Sequence, residues 1–240
     1  MTTGKAAIIT GASQGIGLEM VRRFKAQGFR VAACSSTERI RDAKDADFAA
    51  VCDVTDAAAV RAFVHDCLEK LGRIDVLVNN AGLAGSNSMD ADAPDDFWYR
   101  VIAVNLHGTY HFSKQVAPHL PDGEGRIINI ASVLAFRGVP DQTAYCAAKH
   151  GVLGFTRALA HHLAPRRITV NAICPGWTRT KMAEGRMVEI GLTEESLEAG
   201  VPIGRFIEPA EVADLALYLA SPAAAGITGQ DITIDGGTHA

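Results

Sequence analysis

Tyr145 and Lys149 stand four residues apart in a helical pattern, so their side chains share one face, one turn from each other. A free phenol has a pKa of about 10 and exchanges protons poorly at neutral pH. An ammonium held beside it favours the phenolate, so Lys149 is expected to lower the pKa of Tyr145. A lowering worth roughly 3–4 kcal/mol brings a tyrosine into the range of general acid–base work. Standing alone, a Tyr-x-x-x-Lys pair is most often an ordinary helix-surface contact, so its meaning depends on what surrounds it.

A second chemical feature lies near the amino end. Thr10-Gly11-Ala12-Ser13-Gln14-Gly15-Ile16-Gly17 follows the apolar run Ala6–Thr10 and precedes an amphipathic helix carrying Met20, Val21 and Phe24. Glycines here permit a tight strand-to-helix turn and let backbone approach a pyrophosphate. The helix N-terminus offers unpaired N–H groups and a positive dipole end to the anion. The spacing is GxxxGxG rather than the commoner GxGxxG. Tight packing alone explains glycines equally well; their place at the first strand–helix junction points to nucleotide binding.

The elements that must hold these groups follow from the apolar pattern. Short β-rich runs at Ala6–Thr10, Arg30–Cys34, Phe48–Cys52, Ile74–Asn79, Arg126–Ala131, Arg167–Ile173 and Asp231–Ile234 read as strands. Helical patterns at Ala57–Leu71, Asp95–His119, Ala144–Leu163 and Pro209–Ala220 lie between the later ones. Alternation of this kind predicts one α/β domain over residues 1–240, with a doubly wound, seven-stranded parallel sheet covered by helices on both faces. Residues 177–205 break the rhythm with mixed charge and four glycines, and read as a substrate lid or as a surface excursion.

Bulk composition narrows the class. The 240 residues are 48% hydrophobic and 21% charged with net charge −4, which offers no electrostatic footprint for nucleic acid and no polybasic membrane patch. Cys34, Cys52, Cys67, Cys146 and Cys174 are odd in number and form no CxxC pair, so they read as buried free thiols in a reducing compartment. The stretch Met1-Thr2-Thr3-Gly4-Lys5 lacks the apolar region of a signal peptide, and no run approaches about 18 uncharged apolar residues. A cytoplasmic location is expected. No His, Cys and Asp cluster has metal-ligand spacing, so no metal is expected.

The segment TGASQGIG resembles the cofactor motif of the short-chain dehydrogenase/reductase family. The resemblance continues through Asn79-Asn80-Ala81-Gly82, Asn105, Ser132, Tyr145-Cys146-Ala147-Ala148-Lys149, Pro175-Gly176 and Asp235-Gly236-Gly237, in the family's order and across essentially the whole chain. It implies a Rossmann-type fold and hydride transfer between a nicotinamide cofactor and a carbonyl or alcohol carbon. Asn105, Ser132, Tyr145 and Lys149 are then the catalytic group. Tyr145 would exchange the proton of the substrate oxygen, and Lys149 would support the phenolate and hold the nicotinamide ribose. Ser132 would donate a hydrogen bond to the substrate oxygen, and Asn105 would bend its helix and carry a water leading from Lys149. Read without the resemblance, Asn105 is equally a buried asparagine bonded to backbone. The cofactor would touch Gly11, Ser13, Gln14, Gly15, Ile16 and Gly17 at its phosphates and Ser35 and Ser36 at the adenosine ribose. Asp53 and Val54 would meet the adenine, with Asn79, Ala81 and Gly82 beside the ribose. Tyr145, Lys149, Pro175, Gly176, Thr178 and Thr180 would surround the nicotinamide end. Asp53 is alternatively a turn cap ahead of the helix near Asp56.

An NAD-preferring site places an acid at the end of the second strand, on the ribose 2′-hydroxyl. Ser35 or Ser36 stands there instead, with Arg39 as a counter-charge, which favours NADP(H) over NAD(H); Gln14, at a position often basic in NADP-preferring relatives, argues the other way. Gly125-Arg126-Ile127-Ile128-Asn129-Ile130-Ala131-Ser132 and Val201-Pro202-Ile203-Gly204-Arg205 are most similar to bacterial 3-oxoacyl-thioester reductases and aromatic polyketide ketoreductases. The acidic Pro121-Asp122-Gly123-Glu124, only partly compensated by Arg166 and Arg167, disfavours an acidic carrier protein and leaves a small ketone, cyclic alcohol or coenzyme-linked substrate open. A silent cofactor-binding regulator is disfavoured by the complete Ser132, Tyr145 and Lys149 set. A nucleotide-sugar epimerase is disfavoured by the short stretch after Pro175. Val101, Phe112, Val116, Val152, Phe155 and Leu159 on the two long helices, with the tail from Gly229 to Ala240, predict a homotetramer or dimer.

Overall fold

Every strand near the middle of the molecule is a run of buried residues, which only a sheet covered on both faces allows. β1 (Ala6–Thr10), β2 (Arg30–Ser35), β3 (Phe48–Val51), β4 (Val76–Asn79), β5 (Arg126–Ile130), β6 (Thr169–Pro175) and β7 (Asp231–Ile234) form one sheet in the order β3-β2-β1-β4-β5-β6-β7. All six pairings are parallel. The computed structural model describes residues 4–239, so Met1–Thr3 of the expected N-terminal stretch and Ala240 of the expected tail lie outside the described residues.

One face packs on α1 (Gly15–Ala26) and α8 (Pro209–Ala220), through Met20, Val21 and Phe24 against Val212, Ala216 and Leu219. The other packs on α2 (Ala57–Leu71), α4 (Gly108–Val116) and α5 (Thr143–Leu163), through Phe63, Val64, Phe112, Val116 and Leu163. Strand order reverses at β1, opening a crevice beyond the carboxyl ends of β1 and β4, where open α/β sheets bind ligands. Ile9 pairs with Val78, so the turns leaving β1 and β4 emerge at the same height. At the opposite end, the fully buried Asp75 accepts hydrogen bonds from the Ala6 N–H and from Arg73 Nε, both at 2.8 Å, and pins the two strand starts together.

The structure corrects several expected boundaries. β6 begins at Thr169 rather than Arg167, because Arg167 takes a left-handed φ of 54° that no strand accommodates. β4 starts at Val76 rather than Ile74, and β3 stops at Val51 rather than Cys52. The stretch Asp95–His119 is not one helix. It divides into α3 (Asp96–Ile102), a π-helical turn at Ala103–His107, α4 and a final 3-10 turn at Ala117–His119. Asn105 lies in the widened turn and donates from Nδ2 to Val101 O at 2.9 Å, inside the helix, and to Leu83 O at 2.7 Å, outside it. A side chain inserted in this way deflects the ladder.

Residues 177–205 hold α6 (Lys181–Ile190) and α7 (Glu194–Glu198). Arg179 gathers the carboxylates of Glu194, Glu198 and Glu208, and Trp177 stacks on Phe206 with ring centroids 5.5 Å apart. Arg186 of α6 reaches Ser86 Oγ at 2.7 Å and pairs with Asp141, tying the segment to the loops beyond β4 and β5.

The apolar surface expected to need a partner is mostly covered by the chain itself. Val101, Phe112, Val116 and Val152 are each no more than 1% exposed, because α3, α4 and α5 turn these residues inward. Phe155 and Leu159 are half-buried. All five cysteines are buried and unpaired. Among the described residues no helix is long and apolar enough to cross a membrane.

Candidate active site

The glycine turn is welded to the turn after β4. Thr10 Oγ1 accepts the N–H groups of Asn80 and Ala81, both at 3.0 Å, and Asn80 Nδ2 donates back to Thr10 O at 2.9 Å and Gly11 O at 3.1 Å. A Cβ on Gly11, whose φ is +64°, would lie 2.6 Å from Ala81 Cα, and one on Gly17 would lie 2.4 Å from Asn80 Nδ2. Only glycine fits at either place. Gln14 caps α1 without a side-chain bond, and the first turn carries no acid, so N–H groups and the positive dipole end stay available to an anion.

A cleft of about 1020 Å³ runs from this turn across the carboxyl ends of the strands. Gly11, Ser13, Gln14, Gly15 and Ile16 line its first part, and Ser35, Ser36, Asp53, Val54, Ala81 and Gly82 its middle. Ser132, Tyr145, Lys149, Pro175, Gly176, Thr178 and Thr180 line the far part. Three expected contacts are not on its wall. Gly17 packs behind the turn. Asn79 points into the sheet, where Nδ2 donates to Ser113 Oγ at 3.0 Å and Asn129 Oδ1 at 2.8 Å, leaving its neighbour Asn80 to face the cleft. Asn105 is fully buried behind Leu83, whose carbonyl accepts from its amide. Even so, a Cβ on Gly82 would sit 3.1 Å from Asn105 Oδ1 and 3.8 Å from Lys149 Nζ, so a glycine separates Asn105 from the lysine.

Tyr145 and Lys149 do come together, but not as two charges side by side. Lys149 Nζ donates to Ile130 O at 2.8 Å and lies 5.5 Å from the centre of the Tyr145 ring. Burial pushes Lys149 down to about 8. Burial likewise pushes Tyr145 up to about 12, opposed by its hydrogen bond with Ser132. The expected lowering of Tyr145 by the ammonium is not seen in the chain alone: desolvation sets the direction, and the group that opposes it is Ser132, not Lys149. Ser132 starts a 3-10 turn after β5, its Oγ accepting from the Leu134 N–H at 3.1 Å.

At the adenosine end the two serines differ. Ser35 Oγ is spent on its own turn, donating to Thr37 O at 3.0 Å, while Ser36 is exposed. Arg39 reaches across from the following turn and donates to Gln14 Oε1 at 2.7 Å, so both side chains meet on the cleft wall. Asp53 Oδ1 accepts from Thr55 N–H at 2.9 Å, which makes it a turn former that also lines the cleft. Thr180 Oγ1 caps α6 by accepting from the Ala183 N–H at 3.3 Å.

Sequence reasoning missed Asn80, Thr37, Trp177, Met182 and Gln142 on the wall. The signal for Asn80 was present in the paired asparagines; the others are brought in by loops whose course no local pattern fixes. The glycine turn too tight for any Cβ, the uncapped helix end and the long cleft together fit a dinucleotide.

A family model described as "Enoyl-(Acyl carrier protein) reductase" matches residues 11–239. A putative ketoacyl reductase of Streptomyces coelicolor is 40% identical, over 97% of this chain and 96% of its own length. The solved structure of an actinorhodin polyketide ketoreductase with NADPH superposes with a TM-score of 0.91 at 38% identity, covering 99% of both chains. A 3-ketoacyl-(acyl-carrier-protein) reductase from Brucella melitensis, complexed with NADH, gives a TM-score of 0.91 at 32% identity over all of both chains. With its cleft at the β1–β4 crevice and Ser132, Tyr145 and Lys149 on one wall, the chain belongs to the short-chain dehydrogenase/reductase family of oxidoreductases.

Proposed function

We propose that this protein reduces the ketone of a 3-oxoacyl-type substrate, using NADPH. The observation that carries this reading is the convergence of Ser132, Tyr145 and Lys149 on one wall of a cleft that begins at the glycine turn. When bound, the nicotinamide supplies a hydride to the ketone carbon. The substrate oxygen rests between Ser132 Oγ and the Tyr145 hydroxyl. With a pKa near 12, Tyr145 keeps its proton until negative charge builds on that oxygen, and then donates it. Lys149, held under the ring by Ile130 O, stabilises the phenolate left behind and bonds the ribose hydroxyls. Asn105 fixes Leu83 and, across Gly82, holds a water serving Lys149. Asp53 and Val54 meet the adenine, and residues 177–205 close over the substrate.

NADP(H) is favoured over NAD(H). No carboxylate stands at Ser35 or Ser36 to repel a 2′-phosphate, and Arg39, steered by Gln14, brings a cation to the same wall. Glu38 also lines the cleft but is paired with Arg41. Arg166 is spent on Asp122 at 2.7 Å and on the Ala117 carbonyl, which leaves little free charge there for an acidic carrier protein. Five buried free thiols suit a reducing, cytoplasmic compartment. The oligomer is inferred to be a homotetramer or dimer using the half-buried Phe155 and Leu159 and the 44%-exposed Tyr110, whose ring meets Phe155. Light scattering is expected to give a multiple of 25.4 kDa; an active monomer at micromolar concentration contradicts this.

Tyr145→Phe is expected to cut ketone reduction by roughly 10²–10⁴-fold with NADPH binding intact; turnover within tenfold of wild type contradicts the assignment. The same assay across pH tests Lys149. Its charged form is lost as pH rises through about 8, so kcat/KM for NADPH is expected to be level below that pH and to decline above it. Arg39→Ala is expected to lower kcat/KM with NADPH by roughly 10- to 100-fold and to leave NADH nearly unchanged. An equal effect on both cofactors shows that Arg39 does not read the 2′-phosphate.

A further inference from the structure

Gln142 is buried, only 4% exposed, and stands on the wall of the cleft that holds Ser132 and Tyr145. It occupies the N-cap of α5, one turn before Tyr145, yet its side chain makes no capping bond. Capping comes from elsewhere: Asn87 Oδ1 accepts the Ala144 N–H at 3.1 Å, and Asn87 Nδ2 donates to Thr143 Oγ1 at 2.7 Å. The Gln142 backbone is fixed, its N–H on Val139 O at 3.3 Å and its carbonyl accepting from the Cys146 N–H at 2.9 Å. Its amide has no hydrogen-bond partner among the described residues. The amide faces the cleft rather than a sealed core, so solvent serves it until a ligand with a matching polar atom takes its place.

We propose that Gln142 is a specificity-determining residue that binds a second oxygen of the substrate, on the carbon next but one to the reacting ketone. Gln142 and Tyr145 stand three residues apart at the start of α5 and line the same cleft, so the Gln142 amide and the Tyr145 hydroxyl can meet two oxygens of one short chain. An amide donates a hydrogen bond without charge. That suits the carbonyl of an ester or thioester, whereas a carboxylate would be better met by a cation. The proposal rests on the 3-oxoacyl reading and adds the residue that distinguishes such a substrate from a plain ketone. A site built to bond an oxygen discriminates against the analogue that lacks it, since its buried polar group is then left unpaired.

The test compares NADPH-dependent reduction of ethyl 3-oxobutanoate with that of 2-octanone, a ketone of similar size without the second oxygen. Gln142→Met removes the amide and keeps an unbranched side chain. It is expected to lower kcat/KM for ethyl 3-oxobutanoate roughly tenfold while 2-octanone stays within about twofold. NADPH binding, read by nicotinamide fluorescence, is expected to be unchanged. Gln142→Asn, which keeps the amide one methylene short, is expected to fall between and serves as the deciding variant if the methionine protein loses NADPH binding. Equal losses on both ketones show a merely structural role and overturn the proposal, as does no loss on either. A wild-type enzyme that reduces 2-octanone as well as the 3-oxo ester overturns the 3-oxoacyl reading itself. A wild-type preference that survives in both variants overturns only the role of Gln142.

Discussion

Thr10 and Asn80 hold the ends of β1 and β4 together through four hydrogen bonds, and the site depends on that join. With the two turns at contact distance, Gly11 and Gly17 cannot carry a Cβ. The close approach aims the uncapped start of α1 into the crevice and leaves Ala81 and Gly82 on its wall. Within the sheet, Asn79 and Asn129 pair in register and pass the network on to Ser113 and Thr156, so a buried polar layer ties β4 and β5 to α4 and α5 behind the cleft. Such a layer fixes position because each amide loses its partner if a strand shifts.

Burial sets the electrostatics on the other wall. Lys149 is 3% exposed, and burial lowers its pKa to about 8 even though its ammonium donates to a strand carbonyl. Tyr145 moves the opposite way for the same reason.

Much of this was legible in the amino-acid order. Seven short β-rich runs alternating with helical patterns forced a covered parallel sheet, and glycines at the first strand–helix junction marked the cleft. Tyr145 and Lys149 needed only the helical period to be placed on one face. What stayed hidden depended on facts that no local pattern carries. Which of Asn79 and Asn80 faces the cleft is decided by the end of a strand whose side chains alternate between faces. Gln142 is free because Asn87, from a distant loop, caps its helix. The direction of the Tyr145 shift follows from burial, which the sequence does not display beside the lysine it does. Val101, Phe112, Val116 and Val152 looked like surface awaiting a partner until the sheet and neighbouring helices covered them.

The most direct test of the account follows the hydride. With NADPH deuterated at C4 of the nicotinamide and ethyl 3-oxobutanoate as acceptor, mass spectrometry of the alcohol should find deuterium on the former ketone carbon, from one face of the nicotinamide only. Alcohol formed without deuterium from either labelled face, or no alcohol from any ketone offered, would contradict a hydride-transfer site built on Ser132, Tyr145 and Lys149.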